Sequence, residues 1–211
     1  MDARFPSTSL PVLAAFVLAL ALSASVAAQP TVSVQGNVGA SFFRAPDFAS
    51  ETLHSGVDLG LGVDVRVYRG LSITARGGYD QFTLDEERVR AISQGIQVTR
   101  GDISFLNGSL GVRYTYLSDS DARPYASMGL GVYQLRSSDR RVFQNGQLVN
   151  RTEDATETEM GLHLAVGSLF RLDDTYAVFF EPRYVFYNLR ESISGEFRYF
   201  TLRLGIDVRL N

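Results

Sequence analysis

The sequence predicts an all-β fold, an eight-stranded antiparallel up-and-down transmembrane β-barrel. Three observations carry this. Residues 53–67 divide into two faces when read two by two, with Leu53, Ser55, Val57, Leu59, Leu61, Val63, Val65 and Val67 on one and His54, Gly56, Asp58, Gly60, Gly62, Asp64 and Arg66 on the other. Successive side chains of a strand point to opposite sides, so this is a strand with one apolar and one polar, glycine-rich face. It is longer than the usual strand of about five or six residues and suits a tilted strand with roughly nine to eleven residues in hydrocarbon. The pattern then recurs down the chain, and tight turns alternate with longer polar loops.

The eight expected strands cover residues 31–43, 53–67, 71–82, 102–117, 123–135, 157–171, 175–189 and 198–210. The tight connections are Tyr68-Arg69-Gly70, the Asp- and Ser-rich stretch 118–122, and Leu172-Asp173-Asp174. The long ones are 44–52, 84–101, 136–156 and 190–197. Short turns at one end and long loops at the other match a membrane barrel with its turns toward the periplasm. Within 136–156, Asn145-Gly146 between Val142-Phe143 and Leu148-Val149 predicts a hairpin beyond the membrane.

Residues 1–28 read as a secretory signal peptide, leaving 29–211 as the barrel domain. Arg4 precedes an apolar run over 10–22, and Val26-Ala27-Ala28 is a small-residue cleavage site before Gln29. The run is too short to favour a spanning helix of about twenty residues. There is no cysteine, hence no disulfide, thiolate metal site or lipidated cysteine. All 20 Lys-plus-Arg positions are arginine, which nothing in the fold class explains. A net charge of −3 argues against a nucleic-acid partner. The mean hydropathy is close to zero, as expected when an apolar outside and a polar inside average out.

The faces assign the inside. Leu106, Leu110, Val112, Tyr114 and Tyr116 oppose Asn107, Ser109, Gly111, Arg113 and Thr115, and Met160, Leu162, Leu164, Val166 and Phe170 oppose Glu157, Glu159, Gly161, His163, Ala165, Gly167 and Arg171. A soluble barrel would bury the apolar face; a membrane barrel turns it to lipid. Glycines on the polar faces suit a crowded lumen. Phe42, Tyr79, Tyr114, Tyr116, Tyr184, Phe186 and Phe200 on the apolar faces suit interfacial girdles. The expected lumen charge network is Asp58, Asp64, Arg66, Arg76, Arg113, Glu159, His163, Glu181, Arg183, Arg203 and Asp207, with Asp80, Glu157, Arg171 and Arg209 as further members. Buried charges of both signs must pair, so the network reads as internal salt bridges filling an eight-stranded interior. Glu181 and Arg183 share a side and are expected to pair, with Arg203 and Asp207 as neighbours.

The chain resembles the small eight-stranded outer-membrane barrels that include the OmpA transmembrane domain and OmpX. The carriers are Pro124-Tyr125-Ala126-Ser127-Met128-Gly129-Leu130-Gly131-Val132, Glu181-Pro182-Arg183-Tyr184-Val185-Phe186 and the last strand from Phe200 to Leu210. The resemblance implies an outer-membrane location in a Gram-negative bacterium, with surrounding lipid and the outer-membrane assembly machinery as partners. Gly205, Val208 and Leu210 keep the pattern of the assembly signal, while Asn211 stands where relatives carry an aromatic.

No catalytic, cofactor or metal site is expected. Some small barrels modify lipids with a His and a Ser two apart on the lipid side; here Leu164 and Ala165 follow His163, and Ser168 lies on the other face. His54 shows no metal spacing. Asp85, Glu86 and Glu87 beside Arg88 and Arg90 read as a solvated loop. The expected function is a structural or surface-interaction role, with long extracellular loops that can meet an outside partner and a filled polar lumen. The alternatives are a narrow pore and a soluble periplasmic lipocalin-like binder of an apolar ligand.

Overall fold

The computed structural model describes residues 31–45, 53–92, 96–99, 102–138, 140–144, 147–152, 155–189 and 195–210. The expected signal segment 1–28 and the Asn145-Gly146 turn lie outside them. The strands are β1 (Val32–Ala45), β2 (Gly56–Tyr68), β3 (Leu71–Phe82), β4 (Ile96–Thr99), β5 (Ile103–Thr115), β6 (Ala122–Ser137), β7 (Arg140–Gln144), β8 (Gln147–Thr152), β9 (Ala155–Arg171), β10 (Tyr176–Leu189) and β11 (Gly195–Leu210); one helix, α1, spans Glu86–Ile92. A closed barrel forms in the order β1-β11-β10-β9-β6-β5-β3-β2. Each pairing is antiparallel, and the barrel closes where Val32 meets Leu210 and Phe42 meets Phe200. The eight expected strands correspond one to one with these.

The turns show why the chain reverses where it does. Arg69 takes a left-handed φ of 38°. The next residue must be glycine, because a Cβ at Gly70 would collide with the Thr115 carbonyl oxygen. After β9, the Asp173 carboxylate accepts the Thr175 and Tyr176 amides, both at 2.7 Å, which sets the reversal into β10.

The apolar face points outward. Leu61 is 71% exposed, Leu204 63% and Leu130 60%. This removes the lipocalin-like alternative, which needs those residues inside. Phe42, Phe200 and Tyr184 stand opposite one another on neighbouring strands near the loop end. Tyr68, Tyr114, Tyr116, Phe170 and Tyr176 are exposed near the turn end. The apolar band therefore lies between two aromatic rims, the arrangement that anchors a barrel at its interfaces. Arginine at Leu61 or Leu204 is expected to cost about 2–4 kcal/mol in refolding titrations into bilayers, and about 0–1 kcal/mol at Gln81 near the outer rim. Equal tolerance at all three positions would mean that this band does not face lipid. Ser127, on the opposite face of β6, is buried in the lumen, where arginine would overpack.

Three features depart from the sequence reading. β2 begins at Gly56, and Leu53 is buried, bridging to Leu84 instead of facing lipid. The expected loop 84–101 contains α1 and β4. Asp85 starts α1 by accepting the Arg88 amide at 3.0 Å, and Glu86 and Glu87 lie in its first turn, where acids suit the helix dipole. The expected hairpin is present as β7 and β8, with Gln144 opposite Gln147. It is not a simple continuation of the wall: β4 pairs with β7, giving a separate sheet in the order β4-β7-β8.

The lumen is also not polar throughout. Its loop-side part is filled by Phe43, Phe82, Phe105, Tyr133, Val185, Tyr187, Phe197 and Tyr199, closed over by Leu53, Leu84 and Val89. The Phe43 and Phe82 rings lie 4.2 Å apart, and Phe105 stacks on Tyr199 at 5.7 Å. These aromatics occupy inward positions at the strand ends, buried together with Leu53, Leu84 and Val89. Burying them there gives this membrane protein a small water-shielded core.

Candidate functional site

Below the aromatic layer lies the charge network. Its centre is Glu181 on β10, which is fully buried. The Arg76 Nη1 donates to Glu181 Oε1 at 2.8 Å and Oε2 at 2.9 Å. Tyr125 Oη donates to Oε2 at 3.0 Å. Arg183 Nη2 lies 3.2 Å from Oε1, Arg203 Nη1 3.8 Å from Oε1 and Arg113 Nη2 3.9 Å from Oε2. The Arg183 contact is an ion pair without hydrogen-bond alignment. β3 and β10 stand on opposite sides of the ring of strands, so the Arg76–Glu181 pair spans the lumen. Arg113 also lies over the Tyr125 ring at 4.2 Å, a cation–π contact.

Two further clusters flank this centre. On the loop side, Arg203 Nη2 donates to Asp58 Oδ2 at 2.5 Å and Asn37 to Oδ1 at 2.6 Å. Asp80, opposite Asp58 in the ladder, accepts from Ser41 at 2.7 Å, Tyr199 at 3.0 Å and Asn107 at 3.2 Å. On the turn side, Arg113 Nη1 pairs with Asp64 Oδ2 at 2.6 Å, and Gln35 donates to Asp64 at 3.1 Å. Asp207 accepts from Gln35 and, at 3.1 Å, from Ser33. Glycines make room for this filling: a Cβ at Gly167 would strike the Tyr125 ring, and one at Gly205 the Phe179 ring.

The structure thus brings together Asp58, Asp64, Arg76, Arg113, Glu181, Arg183 and Arg203. Glu181 and Arg183 meet as expected, but the first partner of Arg203 is Asp58, and Asp207 is not a neighbour of Glu181. Asp207 sits nearer the turn end, because its ladder partners are Gln35 and Ala177. Arg66 lies at the turn-end mouth and Glu159 is half-exposed beside Tyr133, and neither has an ion pair within 4.0 Å among the described residues. His163 is buried against Gly129, with its Nδ1 unpartnered. Among the described residues no group of His, Cys, Asp and Glu could hold a metal.

The neutral members Ser33, Gln35, Asn37, Ser41, Asn107, Tyr125 and Tyr199 escape a search by charge. They carry a legible signal all the same: Ser33, Gln35, Asn37 and Ser41 share one parity along β1. Each donates a hydrogen bond to a carboxylate, which lets the acids stay buried with fewer arginines.

Comparison with known proteins gives a consistent fold. Neisserial surface protein A superposes with a TM-score of 0.59 at 13% identity, covering 85% of this chain and 97% of that one. The outer membrane protein OprG from Pseudomonas aeruginosa gives 0.51 at 15% identity, covering 87% and 97%. A major outer membrane protein from Thermus thermophilus gives 0.50 at 13% identity, covering 85% and 99%. No curated protein sequence matches the chain. The family profile of the outer membrane protein beta-barrel domain matches residues 12–209. With a closed eight-stranded wall, an outward apolar band and an inward charge network, the chain belongs to the outer membrane protein beta-barrel domain family and is an outer-membrane protein.

Proposed function

We propose that this protein is a non-conducting, non-enzymatic barrel of a Gram-negative outer membrane that holds its outer loops rigidly for structural or surface contacts. The observation that carries the reading is the double filling of the lumen. The Arg76–Glu181 pair ties opposite walls, and the aromatic layer lies above it. A pore needs a continuous water path, which both layers oppose. The charge network acts in this reading as a set of internal pins, since each buried acid would be costly without its partners. His163 has a role in packing against Gly129, with no nucleophile assigned to it.

The loops are the surface the barrel offers outward. The β4-β7-β8 sheet joins two connections that are far apart in sequence, so it presents a shaped platform in place of separate loose loops. On this reading residues 1–28 are a signal peptide removed before Gln29, and the assembly machinery inserts the chain with its turns in the periplasm.

One preparation tests these points together. Protein from the outer-membrane fraction is expected to begin at Gln29 by intact mass, to migrate heat-modifiably in gels and to give no stepwise conductance in planar bilayers. Replacing residues 140–152 by a short turn should leave heat-modifiable migration intact and abolish any cell-surface contact the full barrel makes. Steady single-channel steps from the folded protein would establish the pore reading instead.

A further inference from the structure

The turn-side mouth of the lumen is unlike the rest of it. A cavity of about 50 Å³ opens there, lined by Arg66, Arg113, Arg123 and Arg209 among others. A single water needs about 10–15 Å³ measured this way, so the space suits a group of a few heavy atoms. The cavity is blind, because Asp64, Arg113 and Glu181 fill the lumen directly above it.

The charges of this mouth do not balance as those above do. Arg113 is matched by Asp64 at 2.6 Å and Arg171 by Asp121 at 3.3 Å. Among the described residues Arg66, Arg123 and Arg209 have no carboxylate within 4.0 Å; Arg66 faces Arg123 and Arg209 as like charges, and Asp207 opposes them only from beyond ion-pair distance. The acids present are engaged otherwise or lie on the rim. Asp207 is held by Gln35 and Ser33, Asp173 by the Thr175 and Tyr176 amides, and Asp174 is exposed. The buried Nε atoms of Arg113 and Arg123 have no hydrogen-bond partner. Among the described residues the guanidinium groups of Arg66, Arg123 and Arg209 are thus left without a close ion-pairing acceptor, although Asp173, Asp174 and Asp207 line the same cavity.

We propose that the turn-side mouth is a blind anion-binding cup in which Arg66, Arg123 and Arg209, from β2, β6 and β11, hold a phosphate-type oxyanion. Guanidinium forks match phosphate oxygens, and three of them arriving from separate strands favour a multiply charged group over a single carboxylate. The phosphate comes from the periplasmic side, either as a soluble phosphate compound or as the headgroup of an inner-leaflet phospholipid. This assignment rests on the mouth alone and not on what the outer loops contact.

The test is calorimetric titration of inorganic phosphate into the folded full-length barrel in a phosphate-free maltoside detergent, at constant ionic strength, with chloride and acetate as comparisons. Saturable phosphate binding, weaker for acetate and absent for chloride, is expected. The triple variant Arg66→Gln/Arg123→Gln/Arg209→Gln should weaken it at least about tenfold, since charge-assisted hydrogen bonds are lost from three donors. Arg136→Gln, at the exposed loop end of β6, should leave it unchanged. Heat-modifiable migration confirms that each variant is folded; if the triple variant fails this, the single variants are titrated, and each should still weaken binding. Nanodiscs containing phosphatidic acid separate the two sources. Lost inorganic-phosphate binding there assigns the headgroup, and retained binding assigns a soluble compound. A phosphate response equal to that of chloride, or folded variants that bind as the parent does, would overturn the cup.

Discussion

Glu181→Gln is expected to destabilise the barrel by about 3–5 kcal/mol, because it leaves arginines that converge on one carboxylate buried without it. The substitution keeps the volume and removes the charge that Arg76, Arg183, Arg203 and Arg113 share at 2.8, 3.2, 3.8 and 3.9 Å. Arg203 retains Asp58 and Arg113 retains Asp64, so the loss falls hardest on Arg76 and Arg183. Urea unfolding from bilayers, followed by heat-modifiable migration, measures it. Adding Arg76→Gln should cost less than the sum of the two single changes, since the second removes a charge the first had orphaned. The Glu181–Arg76 coupling should exceed the Glu181–Arg203 coupling, in line with their separations. A cost below about 1 kcal/mol for Glu181→Gln would mean that water reaches the network, and the sealed-lumen reading would fall with it.

Phe105→Ala is expected to cost a similar amount, about 3–5 kcal/mol, as for large-to-small changes in a soluble core. Phe105 is fully buried, and its ring meets Phe43 at 6.0 Å, Phe82 at 5.9 Å, Tyr187 at 5.4 Å and Tyr199 at 5.7 Å. Inside the lumen no lipid chain can fill the space that truncation leaves. Leu130→Ala on the outer face makes the contrast, because acyl chains are as apolar as the side chain they replace there. Its cost should be a small fraction of that of Phe105→Ala in the same unfolding measurement. Comparable costs at the two positions would show that the aromatic layer is loosely packed. Conductance should remain absent in Phe105→Ala, since the Glu181 layer beneath still closes the lumen.

The two predictions concern layers of unequal legibility. That Glu181, Arg203, Asp58 and Asp64 point inward can be read from parity alone, because alternation is a property of each strand and needs no neighbour. The same local rule placed Leu61, Leu130 and Leu204 toward lipid, set the number of wall strands, and marked the tight turn at Arg69-Gly70. The hairpin at 140–152 was legible for a similar reason, since its signal lies within a few adjacent residues. Leu53 shows the limit of the rule: its parity agrees with that of Val57, but β2 has not yet begun there, and the residue turns to Leu84.

Height along the barrel axis is a different quantity from parity. Asp207 and Arg203 share a face, yet only the closure of β11 against β1 and β10 decides that one meets Gln35 and the other Asp58. Arg76 reaches Glu181 across the lumen because β3 and β10 come to lie opposite each other in the ring, which no pattern within either strand encodes. The aromatic layer arose in the same way. Phe43, Phe82, Phe105 and Phe197 come from four different strands and read individually as ordinary members of their faces. Closure gathers them at one level, where they bury one another beneath Leu53, Leu84 and Val89. The pairing of β4 with β7 joins segments that are distant in the chain. Which side of the wall each residue occupies was therefore written in its own strand, whereas its partners were chosen by the register at which the barrel closed.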